Sequence, residues 1–252
     1  MDSIWLVLGL ALFPALGNFG GGLAAEVSGT TGRHLNYALH GAAGLIIAVV
    51  SVEIMPRVLE SLSAWLIAIA FTLGGIAYVG IEKLVEGFQK RRSQQGENSQ
   101  TSVWMIYIAV FIDLFSDGLL IGAGSAVSPS VAMILAAGQV LADVPEGFAT
   151  IANMKDKGIP RSKRLLISAS FVIPVLSAAA FAYFVLRNQP ETLKLAALTF
   201  TAGLLTVAAI EDMISEAHES GEDTHVSPLA FIGGFVLFVL VSAGLEAVTP
   251  QS

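Results

Sequence analysis

Residues 103–153 read VWMIYIAVFIDLFSDGLLIGAGSAVSPSVAMILAAGQVLADVPEGFATIAN. Two apolar runs, 103–127 and 130–153, are each long enough to cross a hydrocarbon core of about 30 Å. Each carries two acids near its middle, Asp113 and Asp117 in the first and Asp143 and Glu146 in the second. A charge at bilayer depth costs from about 2.5 to more than 10 kcal/mol depending on the reference state, so it persists mainly where it faces a protein interior, water or an ion. Residues four apart, or three apart, share one face of a helix. Asp113 therefore points with Asp117, and Asp143 with Glu146. The short connection from Val127 to Ser130 makes the two helices antiparallel neighbours, so four carboxylates converge. Neither run contains a lysine or arginine. Four such groups cannot all ionise unpaired in a low-dielectric interior: either protons bind or a cation neutralises them. A metal cation is the natural partner.

The remainder of the chain has the same character. Of its 252 residues 54% are apolar and only 13% charged, about half the charged fraction of a soluble domain. Apolar runs divide it into eight expected transmembrane helices, at 4–25, 35–56, 62–82, 103–127, 130–153, 163–186, 192–215 and 227–248, forming one all-α polytopic domain over 1–252. The first run lacks a basic leader and reads as a span rather than a cleaved signal. A polar stretch at 86–102 is the linker that separates three helices from five. The formal charge of −7 argues against nucleic-acid binding, which needs clustered Lys and Arg. The absence of cysteine excludes disulfides, thiolate metal sites and a cysteine nucleophile.

Basic residues set the expected orientation, because loops rich in Lys and Arg stay on the cytoplasmic side. Arg33, Lys83, Lys90, Arg91, Arg92, Lys155, Lys157, Arg161, Lys163 and Arg164 flank the odd-numbered gaps, whereas only Arg57, Arg187 and Lys194 lie at the other ends. Both termini are thus expected outside, in a plasma (inner) membrane, and the acidic segment from Glu216 to His225 in the cytoplasm.

Backbone chemistry supports an ion site between the fourth and fifth helices. Pro145 removes a donor and leaves the carbonyl of Leu141 without its helical partner. Gly118 and Gly147, each directly after an acid, are expected to let these two helices approach closely. The strings at 116–122 and 145–151 also share the acid–Gly pair. The bland reading, protonated acids serving as packing glue, accounts less well for four acids at helical spacing without a cationic partner. No enzyme signature emerges: Gly20 to Gly22 lacks the strand context of a phosphate loop. An intramembrane aspartyl protease needs an isolated dyad, and a metal sensor that binds without transport is the other alternative.

These motifs resemble those of ZIP-type (Zrt/Irt-like) divalent metal transporters over nearly the whole chain. HGAAGLIIAVVSVEIMP at 40–56 resembles the second helix of that family, with an acid three residues before proline. ADVPEGFA at 142–149 is similar to its His-Glu-x-Pro-Glu-Gly or Gln-Asp-x-Pro-Glu-Gly signature, and DLFSDG at 113–118 to His-Asn-x-Pro-Glu-Gly. AIEDMISEAH at 209–218 is similar to the acidic segment of its seventh helix. The resemblance implies a ZIP-like bundle with a binuclear midplane site bridged by Asp117 and Glu146. Asp113 stands where a histidine ligand is common, and Asp143 would serve the second metal. Leu114, Ala142 and Ile173 replace positions that often carry ligands there, so one metal is expected to bind well and a second poorly.

The expected substrate is a divalent cation, with no prosthetic group and no enzymatic activity. The family's cargo favours zinc, whereas an all-oxygen donor set favours manganese or iron. Gln139, one turn before Asp143, is a candidate substitute ligand, and His40, Glu211 and Asp212 are candidates for an exit path. Glu53 reads either as an entrance ligand or as an interfacial acid. Glu216, His218, Glu219, Glu222, Asp223 and His225 form either a solvated loop or a weak cytoplasmic capture site. Asn18 and Glu26 are expected to bond between helices. Expected partners are membrane lipid and the cation, with a homodimer as a candidate assembly.

Overall fold

The computed structural model of the chain describes residues 4–28, 32–93, 99–219 and 224–248. Among them the regular structure is entirely helical. Eight helices are long and apolar enough to span a membrane, the architecture of an integral multi-pass protein. They are α1 (Ile4–Val27), α2 (Gly32–Ser61), α3 (Ala64–Ser93), α4 (Ser99–Val127), α5 (Pro129–Asp156), α6 (Arg161–Leu186), α7 (Glu191–His218) and α8 (Ser227–Val248).

Most boundaries agree with the sequence pattern within a turn, and two do not. The linker expected over 86–102 is shorter, because α3 continues to Ser93 and α4 begins at Ser99; polarity bars such residues from hydrocarbon but does not stop a helix from running on into water. Helix α2 also passes Pro56 and ends only at Ser61. It does so through a π-helical segment, Val49–Ile54, after which the Met55 N–H bonds the carbonyl of Val50. The widened turn absorbs the donor that proline lacks. A second π segment, Ala209–Ile214, interrupts α7 at its acidic pair.

The helices pair closely as α1 with α5, α4 with α6, α2 with α8 and α3 with α7. These pairs gather into two groups. One comprises α1, α4, α5 and α6; the other comprises α2, α3, α7 and α8. A large apolar core between α2, α5, α7 and α8 includes Ile46, Val49, Leu135, Leu205 and Phe238. A second core within the first group includes Leu114, Ile121, Phe171 and Val175. Helices α3 and α8 are peripheral, with apolar side chains such as Trp65, Leu73, Ile76, Ile232 and Leu240 turned outward, as a lipid-facing surface requires.

Close approach depends on glycine at particular contacts. A Cβ on Gly21 of α1 would collide with the carbonyl of Val144 on α5, and one on Gly147 with the carbonyl of Asn18. Gly118 packs against Val175 and Ala178 of α6. The expectation that Gly118 and Gly147 bring α4 and α5 together is therefore corrected: they dock these helices onto α6 and α1. Successive residues on a helix are 100° apart, so an acid facing the α4–α5 seam sends the next residue toward a flanking helix.

Gly21→Ala should cost about 1–3 kcal/mol of stability through overpacking, seen as a lower midpoint of thermal unfolding in detergent. Gly9→Ala, on the same helix with nothing within 4 Å of the added carbon, should leave the midpoint unchanged or raise it slightly, since alanine is the better helix former.

Candidate functional site

Asp113 and Asp117 come from the middle of α4 and Asp143 from the middle of α5. One carboxylate oxygen of each lies within 4.8 Å of the others, and all three side chains are buried. Across the antiparallel seam the carboxyl of Asp113 meets that of Glu146, and the carboxyl of Asp117 meets that of Asp143. This is the register expected when a step of four residues along one helix answers a step of three along the other. Glu146 is half-buried. Among the described residues, oxygens Asp117 Oδ2, Asp143 Oδ2 and Glu146 Oε2 are enclosed without a hydrogen-bond donor.

Gln139 is one turn from Asp143 on the same face of α5, and its Nε2 donates to Asp117 Oδ1. Its own Oε1 is enclosed without a partner. The structure thus brings together the four acids and Gln139. A set of closely spaced oxygens with no ammonium or guanidinium from either helix can share protons or enclose a cation, and every donor it offers a cation is oxygen.

A cavity of about 300 Å³ leads away from this cluster. Asp113 and Glu146 stand at its head, Thr150 and Asn153 continue along α5, and Glu211, Asp212 and Glu216 of α7 form the facing wall. The π segment of α7 presents Glu211 and Asp212 consecutively on the open side. Tyr78 of α3 donates its hydroxyl to Asp212 Oδ2. Thr150 and Asn153 join this lining, and Tyr78 meets it through Asp212, beyond the residues that the sequence motifs point to. The two on α5 could have been found there, because they lie four and seven residues beyond Glu146 on one helical face; Tyr78 carries no comparable signal.

Other candidates lie apart from the acids. His40 is buried where α2 meets α7: its Nδ1 donates to the carbonyl of Asn36 at 2.9 Å, and its ring centroid is 5.6 Å from that of His218. Asn36 locks this junction, donating to the carbonyl of Ala217 at 2.8 Å and accepting from Ser227 Oγ at 2.6 Å. Glu53 is paired with Arg57 at 2.8 Å. It lies about 20 Å along α2 from His40 at 1.5 Å per residue. Glu222 and Asp223 lie outside the described residues, as do the side chains of Glu219, Lys90, Arg91 and Arg92.

The expected interhelical bond of Glu26 is present, as two parallel contacts of 2.6 and 2.7 Å from Arg164. They fasten the end of α1 to the start of α6. For Asn18 the expectation is corrected, because both atoms of its buried amide lack a partner among the described residues; its backbone makes the close contact with α5. Leu114 and Ala142 are packed into the two apolar cores, and Ile173 is 62% exposed on the outer surface of α6. No family model matches the chain, and no curated protein matches it.

The chain has no cysteine, so single introduced thiols report accessibility without background. Asn153→Cys and Ser215→Cys, both on the cavity wall, should react with a membrane-impermeant thiol reagent. Leu114→Cys, at a position with 0% exposure, should not. An unreactive Asn153→Cys would mean that the cavity is closed to water.

Proposed function

We propose that the chain is a ZIP-type transporter that carries a divalent transition-metal cation, manganese, iron or zinc, toward the cytoplasm. The observation that carries this reading is the oxygen cluster of Asp113, Asp117 and Asp143, joined by Glu146 to an acid-lined cavity. A cation held among these oxygens is neutralised where no protein counter-ion is available. Carboxylates, with the Gln139 amide turned to present its oxygen and water completing the shell, suit manganese or iron better than a nitrogen- or sulfur-preferring ion. The resemblance to ZIP transporters favours zinc.

The cavity lies at the end of the bundle that also carries ten of the 13 basic residues, which on the charge rule is the cytoplasmic end. A cation leaving the cluster meets Glu211, Asp212 and Glu216 on its way out. The cluster belongs to the group of α1, α4, α5 and α6, and the facing wall to α7 of the other group. Rocking of one group against the other would close this passage and open the opposite one, the alternating access common to transporters built from two packed bundles.

Reconstituted into proteoliposomes, the protein should take up Mn²⁺, and Glu146→Gln should nearly abolish uptake, whereas Asp143→Ala should reduce it less. A metal-binding protein without flux would be a sensor instead. Asp113→His should raise Zn²⁺ over Mn²⁺ in competition assays, because an imidazole nitrogen suits zinc while loss of a charged oxygen weakens manganese. Binding should fall between about pH 8 and pH 5, since protons and the cation compete for the same oxygens. Wild-type metal affinity in both Glu146→Gln and Asp143→Ala would contradict the assignment.

A further inference from the structure

Helices α3 and α7 touch through Gly74 and Gly203, where a Cβ would collide with the carbonyls of Phe200 and Phe71. The same lack of side chains leaves a groove of about 560 Å³ along the outside of the pair, running past Thr72, Gly75, Ile76 and Gly80 to Lys83. It lies on the outward side of α3, where Leu73 and Ile76 are more than half exposed. From Thr72 to Lys83 the rise is about 16 Å, half of a hydrocarbon core of about 30 Å. The groove is therefore one leaflet long. Trp65, 82% exposed, lies about 27 Å of helix rise from Lys83, which sets the tryptophan at one membrane interface and the lysine at the other.

Lys83 closes the groove at the depth of lipid phosphates. Its acidic neighbour Glu82 does not neutralise the groove, because it lines a separate inner cavity with Tyr78 and Asp212. We propose that this groove binds one anionic phospholipid, with an acyl chain along α3 and α7 and the headgroup phosphate against Lys83. The apolar walls accept any acyl chain, and the lysine selects the negative headgroup.

The test uses the full chain in detergent, given equal amounts of phosphatidylglycerol and phosphatidylcholine and examined by native mass spectrometry. The wild type should retain phosphatidylglycerol in preference. Lys83→Gln should lower that preference about five-fold, the effect of one basic residue near an anionic surface. Lys194→Gln, outside the groove, should not change it. Gly80→Leu fills the groove from a position with nothing within 4 Å and should lose bound lipid of both kinds. An unchanged preference in Lys83→Gln overturns the proposal. So does full lipid retention by a folded Gly80→Leu, or a Gly80→Leu that splits a dimer without altering bound lipid, which would make a second copy the occupant. Should Gly80→Leu fail to fold, the Lys83→Gln ratio decides alone.

Discussion

Burying carboxyl groups side by side without a positive side chain is the constraint on which the rest of this molecule depends. Asp113, Asp117 and Asp143 bring oxygens within 4.8 Å of one another in the interior of a helical bundle, and no lysine or arginine lies on either stretch of helix that supplies them. Elsewhere the protein handles buried charge differently. Glu26 is matched by a two-pronged contact from Arg164, and Glu53 by Arg57 one turn away. Glu26 and Glu53 thus have cationic partners, whereas among the described residues the central cluster is met by its own acids and by the Gln139 amide.

The helices are arranged to keep that cluster narrow on one side and open on another. Gly118 and Gly147 follow Asp117 and Glu146, and each docks its helix onto a flanking partner, α6 or α1. The acids are left facing one another across the α4–α5 seam. Toward one end of the bundle, the π segment of α7 exposes Glu211 and Asp212 to the cavity that Asp113 and Glu146 head. Such segments often mark functional turns. Here the acidic lining belongs to two different helix groups, so a relative shift of those groups would change access to the cluster.

Much of this was legible in the sequence because apolar length and helical spacing are local properties. Eight runs of about 20 residues gave eight helices, and spacings of four and three placed Asp113, Asp117, Asp143 and Glu146 together, with Gln139 beside them. What escaped depended on the direction of each face and on neighbours distant in sequence. From sequence alone Gly118 and Gly147 look like a join between α4 and α5, yet they face away by one residue's turn. The hydrogen bond of Tyr78 to Asp212 links α3 to α7 across more than a hundred residues. The extension of α2 past Pro56 needed a π turn that no local propensity announces.

The proposed cation site is tested most directly by anomalous scattering from crystals of the protein grown with Mn²⁺. The account predicts one strong peak among the oxygens of Asp113, Asp117 and Asp143, within about 2.0–2.6 Å of several of them, the range of metal–oxygen contacts for hard divalent ions. An empty cluster at saturating Mn²⁺, with the carboxyls still facing one another, would contradict it and return the four acids to a purely structural role.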